Sequence, residues 1–311
     1  MIVTVTLNLA LDVTYRVQRL RPGATHRVAV EQRAGGKGVN VARVVAALGA
    51  DAVVCGFAGG GTGQVALAEL DVAGIPARTT PVAGESRRTV TVVDAQAGEA
   101  TGFWEPGPMV TEAEWGALLR DVTAELARAG AAVLSGSLPP GVPAHAYAIL
   151  ADRASRAGVP VVLDADGDAL RRGLAGRPEV VKPNREELAG VTGTADVREG
   201  TARLRELGAR SVVASLGADG LVAVTDDGCW RARPAHPAAG NPTGAGDAGV
   251  AALALGLARG WSWPERLTEA VALSAAAVSA PLAGSFDADA FRRQRDDVSV
   301  EALPMAAARE G

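Results

Sequence analysis

The feature that most constrains this chain is alternation. Short apolar runs of strand character trade places with helix-period segments for most of the length. "IVTVTLN" reads as a strand and "GKGVNVARVVAALG" as a helix whose face is Val39, Ala42, Val45, Ala46 and Leu48. "DAVVCGFAG" is again a strand and "GGTGQVALAELDVAG" a helix. "AAVLSGS" is a strand, and "PAHAYAILADRASRAG" a helix that Pro143 helps to start. "VPVVLDADG" and "VVKPN" are strands, followed by helices "REELAGVTG" and "GTARLRELGA", then strands "RSVVASLGADG" and "LVAVTDDG". Such a rhythm predicts an α/β fold with a largely parallel sheet covered by helices on both faces. In sheets of that kind ligands bind beyond the carboxyl ends of the strands. The loops to watch are therefore "LNLALD", "SGSLPPG", "LDADG", "KPNREE" and "SLGADG".

Two segments break the rhythm. "DVTYRVQRLRPGATHRVAVEQRAGG" reads as two strands joined by a turn at Pro22 and Gly23, and "ESRRTVTVVDAQAGEATGFWEPG" as a hairpin turning near Gly98. Together they predict a small antiparallel sheet, a lid built from about residues 12–35 and 86–105, on a single domain spanning 1–311. Its exposed edge or face calls for a cover, and a second subunit is one candidate. No Pro/Ser-rich linker or internal repeat interrupts the chain. The tail from Val298 to Gly311 is expected to fray.

Composition narrows the partners. With 48% apolar residues, much of that alanine, and 4% aromatics, the chain suits helices packed closely on a sheet. A net charge of −4 with no lysine/arginine cluster argues against a nucleic-acid partner. Cys55 and Cys229 are expected to be buried thiols, too few for a disulfide framework or a zinc site. "MIVTVTLNLALDVTY" lacks a basic leader region, and "VAALALGLARG" is too short to span a membrane. A cytosolic, reducing compartment follows as the default expectation.

Four stretches carry chemistry. "GGKGVN" leads two glycines into a helix with Lys37 and Asn40 in its first turn, an anion site or a plain turn with a solvated lysine; it is not a Walker A motif. In "KPNREEL", Asn184 and Glu187 suit a hydrated Mg²⁺, or alternatively cap a helix. "SLGADG" is a strand end with two glycines, or a hairpin turn. "NPTGAGD" is the sharpest: Gly244 and Gly246 let backbone N–H groups converge at a helix start, with Asp247 beside them. Asp247 is then a base that deprotonates an attacking alcohol, or a residue that only complements the helix dipole.

Taken together and in order, over roughly residues 1 to 290, these motifs resemble the ribokinase/PfkB carbohydrate-kinase family. The branch most resembled phosphorylates ketohexose monophosphates, the 1-phosphofructokinase and tagatose-6-phosphate kinase branch, with its "TLNPALD", "GGKGxNVAR", "GETR", "NEPGP", "SGSLPxG", "KPNxxEL" and "GAGD". Here they read "TLNLALD", "GGKGVNVAR", "GESR", "WEPGP", "SGSLPPG", "KPNREEL" and "GAGD". The resemblance implies a ribokinase-like three-layer fold with a small β lid, ATP and Mg²⁺, and a homodimer through the lid. It implies that Asp12, Gly36, Lys37, Asn40, Arg87 and Ser137 bind sugar, with Arg87 on the phosphate already present. It assigns Lys182, Asn184, Glu187, Ser215, Gly217, Gly220 and Thr243 to the nucleotide, Asn184 and Glu187 organising the metal. It further implies that Gly244, Ala245 and Gly246 form the anion hole and that Asp247 is the base. Adenine is placed near "LTEAVALSAAAVSA".

The departures fall mostly on the sugar side. Leu9 replaces a proline, Thr89 and Thr91 stand where the branch has Asn and Lys in "TRxNxK", Trp104 replaces an Asn, and Asp166 adds a charge where the branch has "DTSG". Arg88 is a second cation, but strand alternation points it away from Arg87. Fructose 1-phosphate is the first expectation. Tagatose 6-phosphate, fructose 6-phosphate and an unphosphorylated sugar are alternatives. A non-catalytic sugar-phosphate sensor is a rival, disfavoured by an intact Asp247. A nicotinamide-dependent oxidoreductase is another, disfavoured because no "GxGxxG" follows the first strand.

Overall fold

A computed structural model describes residues 1–236 and 238–304. The strands are β1 (Ile2–Thr6), β2 (Ala10–Val17), β3 (Val30–Gly35), β4 (Ala52–Ala58), β5 (Ala77–Pro81), β6 (Arg87–Asp94) and β7 (Glu99–Trp104). They continue with β8 (Ala131–Ser135), β9 (Val161–Asp164), β10 (Val180–Val181), β11 (Ser211–Ser215), β12 (Leu221–Val224), β13 (Cys229–Arg233) and β14 (Ser299–Leu303). The helices are α1 (Lys37–Ala47), α2 (Gly60–Val72), α3 (Glu112–Leu126), α4 (Ala146–Arg156) and α5 (Gly167–Gly173). After these come α6 (Arg185–Thr192), α7 (Val197–Glu206), α8 (Ala245–Ala258), α9 (Trp263–Val278) and α10 (Ala288–Asp297).

Ten strands form one sheet in the order β14-β13-β12-β11-β10-β9-β8-β1-β4-β5. From β5 to β11 every pairing is parallel, and the last three strands join antiparallel. The parallel strands are buried on both faces, which is why they read as continuous apolar runs. Alternation along β1 divides the interior in two. Ile2 joins a core with α1, α8 and α9, while Val3 and Val5 join one with Trp115, Tyr147, Leu188 and Leu204 of α3, α4, α6 and α7. This is the three-layer α/β fold that the alternation predicts.

The second sheet has the order β3-β2-β6-β7. Its middle pair, β2 and β6, is parallel, and the flanking pairs are antiparallel. This differs from the wholly antiparallel sheet expected from the two hairpin-like segments. The central pair differs because each strand enters from the main body, β2 after β1 and β6 after β5. Phe103, Trp104 and Val30 on this sheet are exposed.

Four local expectations need correction. Ala46 is exposed while Val41 and Val44 are fully buried, because α1 packs on the large sheet and also along α8, and so buries more than one face. Cys55 is buried but Cys229 only half so. Ser299–Leu303 of the tail is strand β14, paired with β13 from Cys229 to Arg233. The remainder of that tail, 305–311, lies outside the described residues. The sequence reading also contains no helix over 112–126. Its signal was present: Thr111 and Glu114 form a full capping box ahead of buried Trp115, Leu118 and Val122. Among the described residues, no helix is long and apolar enough to cross a membrane.

Candidate active site

Neighbouring strands β1, β8, β9, β10 and β11 all present their carboxyl ends to the same edge of the sheet. Asn8, Ser137, Asp164, Lys182 and Ser215 therefore converge there, although they are far apart in sequence. Helix α1 brings Lys37 and Asn40 to this edge, and α8 brings Asp247.

The α8 start is built for an anion. Gly244 caps it with φ of 87°, a left-handed conformation that costs glycine nothing. The N–H of Ala245 bonds Pro242 O and that of Ala248 bonds Gly244 O. The N–H groups of Gly246 and Asp247 lie in the first turn, where a helix supplies no acceptor. Thr243 N–H donates to Asn241 Oδ1 at 3.0 Å, which folds the approach to the helix.

Asp247 is 7% exposed and accepts a hydrogen bond at Oδ2 from Asn40 Nδ2, 2.8 Å away. Burial pushes its pKa up to about 7, and the charge of Asp164 adds to the rise; Asn40, Lys37 and Lys182 oppose it. A carboxyl titrating near neutrality in the first turn of a helix can take and return a proton.

Asp164 was not among the residues singled out from sequence. It is 3% exposed, lies 3.7 Å from Lys37 Nζ through Oδ2 and 3.9 Å from Lys182 Nζ through Oδ1. Its signal was a carboxylate ending the otherwise apolar run "VVLD" at the carboxyl end of a strand. Lys37 also lies 3.6 Å from Glu187 Oε1. Burial draws the Lys37 pKa down, yet the carboxylates of Asp164, Glu187 and Asp247 outweigh it and hold the ammonium above the usual lysine range.

Asn184 and Glu187 do make the capping box. Asn184 Oδ1 accepts from Glu187 N–H at 2.8 Å, and Glu187 Oε2 from Asn184 N–H at 2.9 Å. The capping alternative and the metal alternative divide the atoms between them: Glu187 Oε2 caps, and Oε1 is left facing Lys37, which also lies beside Asp164. Two carboxylates already gathered around an ammonium are a donor set fit for a hydrated Mg²⁺ that also takes phosphate oxygens. Among the described residues, no three His, Cys, Asp or Glu side chains form a metal site by themselves.

A cavity of about 490 Å³ is lined by Asn8, Arg87, Glu105, Ser137 and the "LPPGV" loop. Arg87 Nε donates to Asn8 O at 3.1 Å, and Asn8 Nδ2 to Ser137 Oγ at 3.0 Å. Arg88 points outward as alternation predicts, and its Nη2 lies 2.9 Å from Glu105 Oε1. Asp12 accepts a hydrogen bond from Thr89, one of the departures noted above. Burial raises the Asp12 pKa, against Thr89, Arg87, Arg33 and Arg43.

An isolated parallel bridge joins Asn184 to Ser215, so "KPN" and "SLG" are side by side. Gly217 opens a single 3₁₀ turn. Gly220 is fixed by packing: a Cβ there would meet Ala232 O at 2.0 Å. Gly36 caps α1, and Thr243, Ala245 and Gly246 sit at the head of α8.

The model of the pfkB family of carbohydrate kinases matches residues 3–289. A 1-phosphofructokinase of Xanthomonas campestris pv. campestris is 42% identical over 266 residues, 82% of this chain and 83% of that protein. The ATP-dependent 6-phosphofructokinase isozyme 2 of Mycobacterium tuberculosis is 37% identical over 288 residues, 90% of this chain and 84% of that one. The crystal structure of Escherichia coli phosphofructokinase-2 in complex with potassium superposes with a TM-score of 0.87 at 31% identity, covering 95% of this chain and 98% of that one.

Proposed function

This chain belongs to the pfkB family of carbohydrate kinases and is an ATP-dependent sugar kinase, and on that premise we propose that its substrate is fructose 1-phosphate, phosphorylated on the 6-hydroxyl. The observation that carries the mechanism is Asp247, buried at the head of α8 and bonded to Asn40. Asp247 removes the hydroxyl proton as the oxygen attacks the γ-phosphorus. The bond from that phosphorus to the β–γ bridging oxygen breaks, and ADP leaves. The N–H groups of the α8 first turn face the charge that moves, and Lys37 and Lys182 add positive field.

Arg87 supports a phosphorylated sugar, since it is the cation lining the cavity that also holds Ser137 and Asn8. Asp12, supported by Thr89, holds sugar hydroxyls. Glu187 and Asp164 would hold Mg²⁺, which would neutralise phosphate charge when bound; Asn184 fixes Glu187. Ser215, Gly217 and Thr243 contact nucleotide. The exposed Phe103 and Trp104 support a homodimer through the small sheet.

Fructose 6-phosphate, phosphorylated on the 1-hydroxyl, is the second reading, favoured by the relative that matches 90% of the chain. ADP release measured over free and phosphorylated ketoses separates the two. A higher kcat/KM for fructose 1-phosphate is expected. Preference for fructose 6-phosphate would establish the second reading, and preference for a free ketose would overturn both.

A further inference from the structure

Arg33 lies on β3, directly across the register from Asp12 of β2. It is half-buried, and burial together with Arg43 holds its guanidinium below the ordinary arginine range while Glu69 and Asp12 pull the other way. Its Nη1 reaches out of the small sheet and donates to Ala283 O at 2.9 Å, a contact between residues 250 positions apart.

Ala283 and Gly284 form a turn wedged between two parts of the reaction site. On one side, a Cβ on Gly244 would meet Ala283 Cα at 2.8 Å, so the turn lies against the residue that caps α8. On the other, a Cβ on Gly284 would meet Asn40 Cα at 3.0 Å, and Gly284 has φ of 73°. Asn40 in turn holds Asp247. Arg33 is thus the side chain through which the small sheet grips the turn that supports the phosphate cradle.

We propose that Arg33 is a positioning residue that couples sugar binding to nucleotide binding, by latching the Ala283–Gly284 turn against Gly244 and Asn40 when the small sheet is held by the sugar. This rests on the reading that places sugar at Asp12 and Arg87 and the ATP phosphates at the head of α8. Sugar on Asp12 fixes the strand pair that carries Arg33. The latch then holds the cradle in its binding geometry before ATP arrives. By thermodynamic reciprocity, ATP tightens sugar binding by the same factor.

The test is calorimetric titration with the magnesium complex of a non-hydrolysable ATP analogue. Wild type, Arg33→Met and Arg33→Lys are titrated with and without a ketohexose phosphate that the wild type turns over. Wild type is expected to gain about tenfold in analogue affinity when the sugar is present, within the usual range of coupling. In Arg33→Met that gain should fall below about twofold, with each ligand alone binding within about threefold of wild type. Arg33→Lys, which keeps a donor for Ala283 O, should recover part of the gain. An undiminished gain in Arg33→Met, or a loss of affinity for each ligand alone as large as the lost coupling, overturns the latch. Should Arg33→Met not fold, Arg33→Gln is read by the same criteria. Turnover of no ketohexose phosphate by wild type would sink the substrate reading and the latch together; turnover with no gain in wild type, or with coupling retained in Arg33→Met, sinks the latch alone.

Discussion

Asn40 Nδ2 donates to Asp247 Oδ2 at 2.8 Å, joining the first turn of α1 to the first turn of α8. The two helices pack side by side, and this bond fixes the carboxylate of Asp247 between them. It favours the charged form, while burial favours the neutral one, and burial wins.

Asp247→Ala is expected to lower kcat by about 10³-fold, the scale of a lost general base. Binding of the magnesium–ATP analogue should change little, because the N–H groups of the cradle remain. Near-wild-type turnover would remove Asp247 from its role.

Activity should rise with pH through about 7, as Asp247 loses its proton. Stability should run the other way. The folded pKa is raised from 3.8 to about 7, so the contribution is complete below the unfolded value and is lost as pH rises to the folded one. Asp247→Asn removes that loss. Urea unfolding at pH 4 and pH 8 should show the variant gaining on wild type by on the order of 3 kcal/mol at the higher pH. A gap that does not change with pH would mean that Asp247 is not raised.

Asp164→Asn leaves Lys182, itself 5% exposed, without its buried carboxylate. A destabilisation of about 3 kcal/mol is expected. The acid limb of kcat should also move to lower pH, because the charge of Asp164 raises the Asp247 pKa. An unmoved limb in a folded variant would show that the two carboxylates do not interact.

Arg87→Ala should raise KM for a ketohexose phosphate by about 10- to 100-fold, the worth of a charged hydrogen bond. KM for the free ketose should change by less than about threefold. Equal effects on both would mean that the cavity does not read phosphate.

Trp104, 76% exposed on edge strand β7, is the residue to test for association. Trp104→Glu should convert a dimer to monomer in light scattering. A wild type that is already monomeric, or a variant that stays dimeric, removes the small sheet as the interface.

The sequence by itself determined the layered α/β fold, because apolar period and turn residues act over a few positions and are readable there. It also pointed to the strand exits as the candidate site, since parallel strands put all such loops on one edge. "NPTGAGD" and "KPNREEL" were legible for the same reason: a cap and a helix start are local. What only the tertiary structure decided is which atoms face one another. Asp164 between two lysines, Glu187 with one oxygen capping and the other turned to Lys37, and Arg33 on Ala283 all join distant segments. Spacing along the chain carries no information about those distances. They are set by the order in which β9, β10 and α1 pack, and by burial, which gives a carboxylate its partners and its pKa.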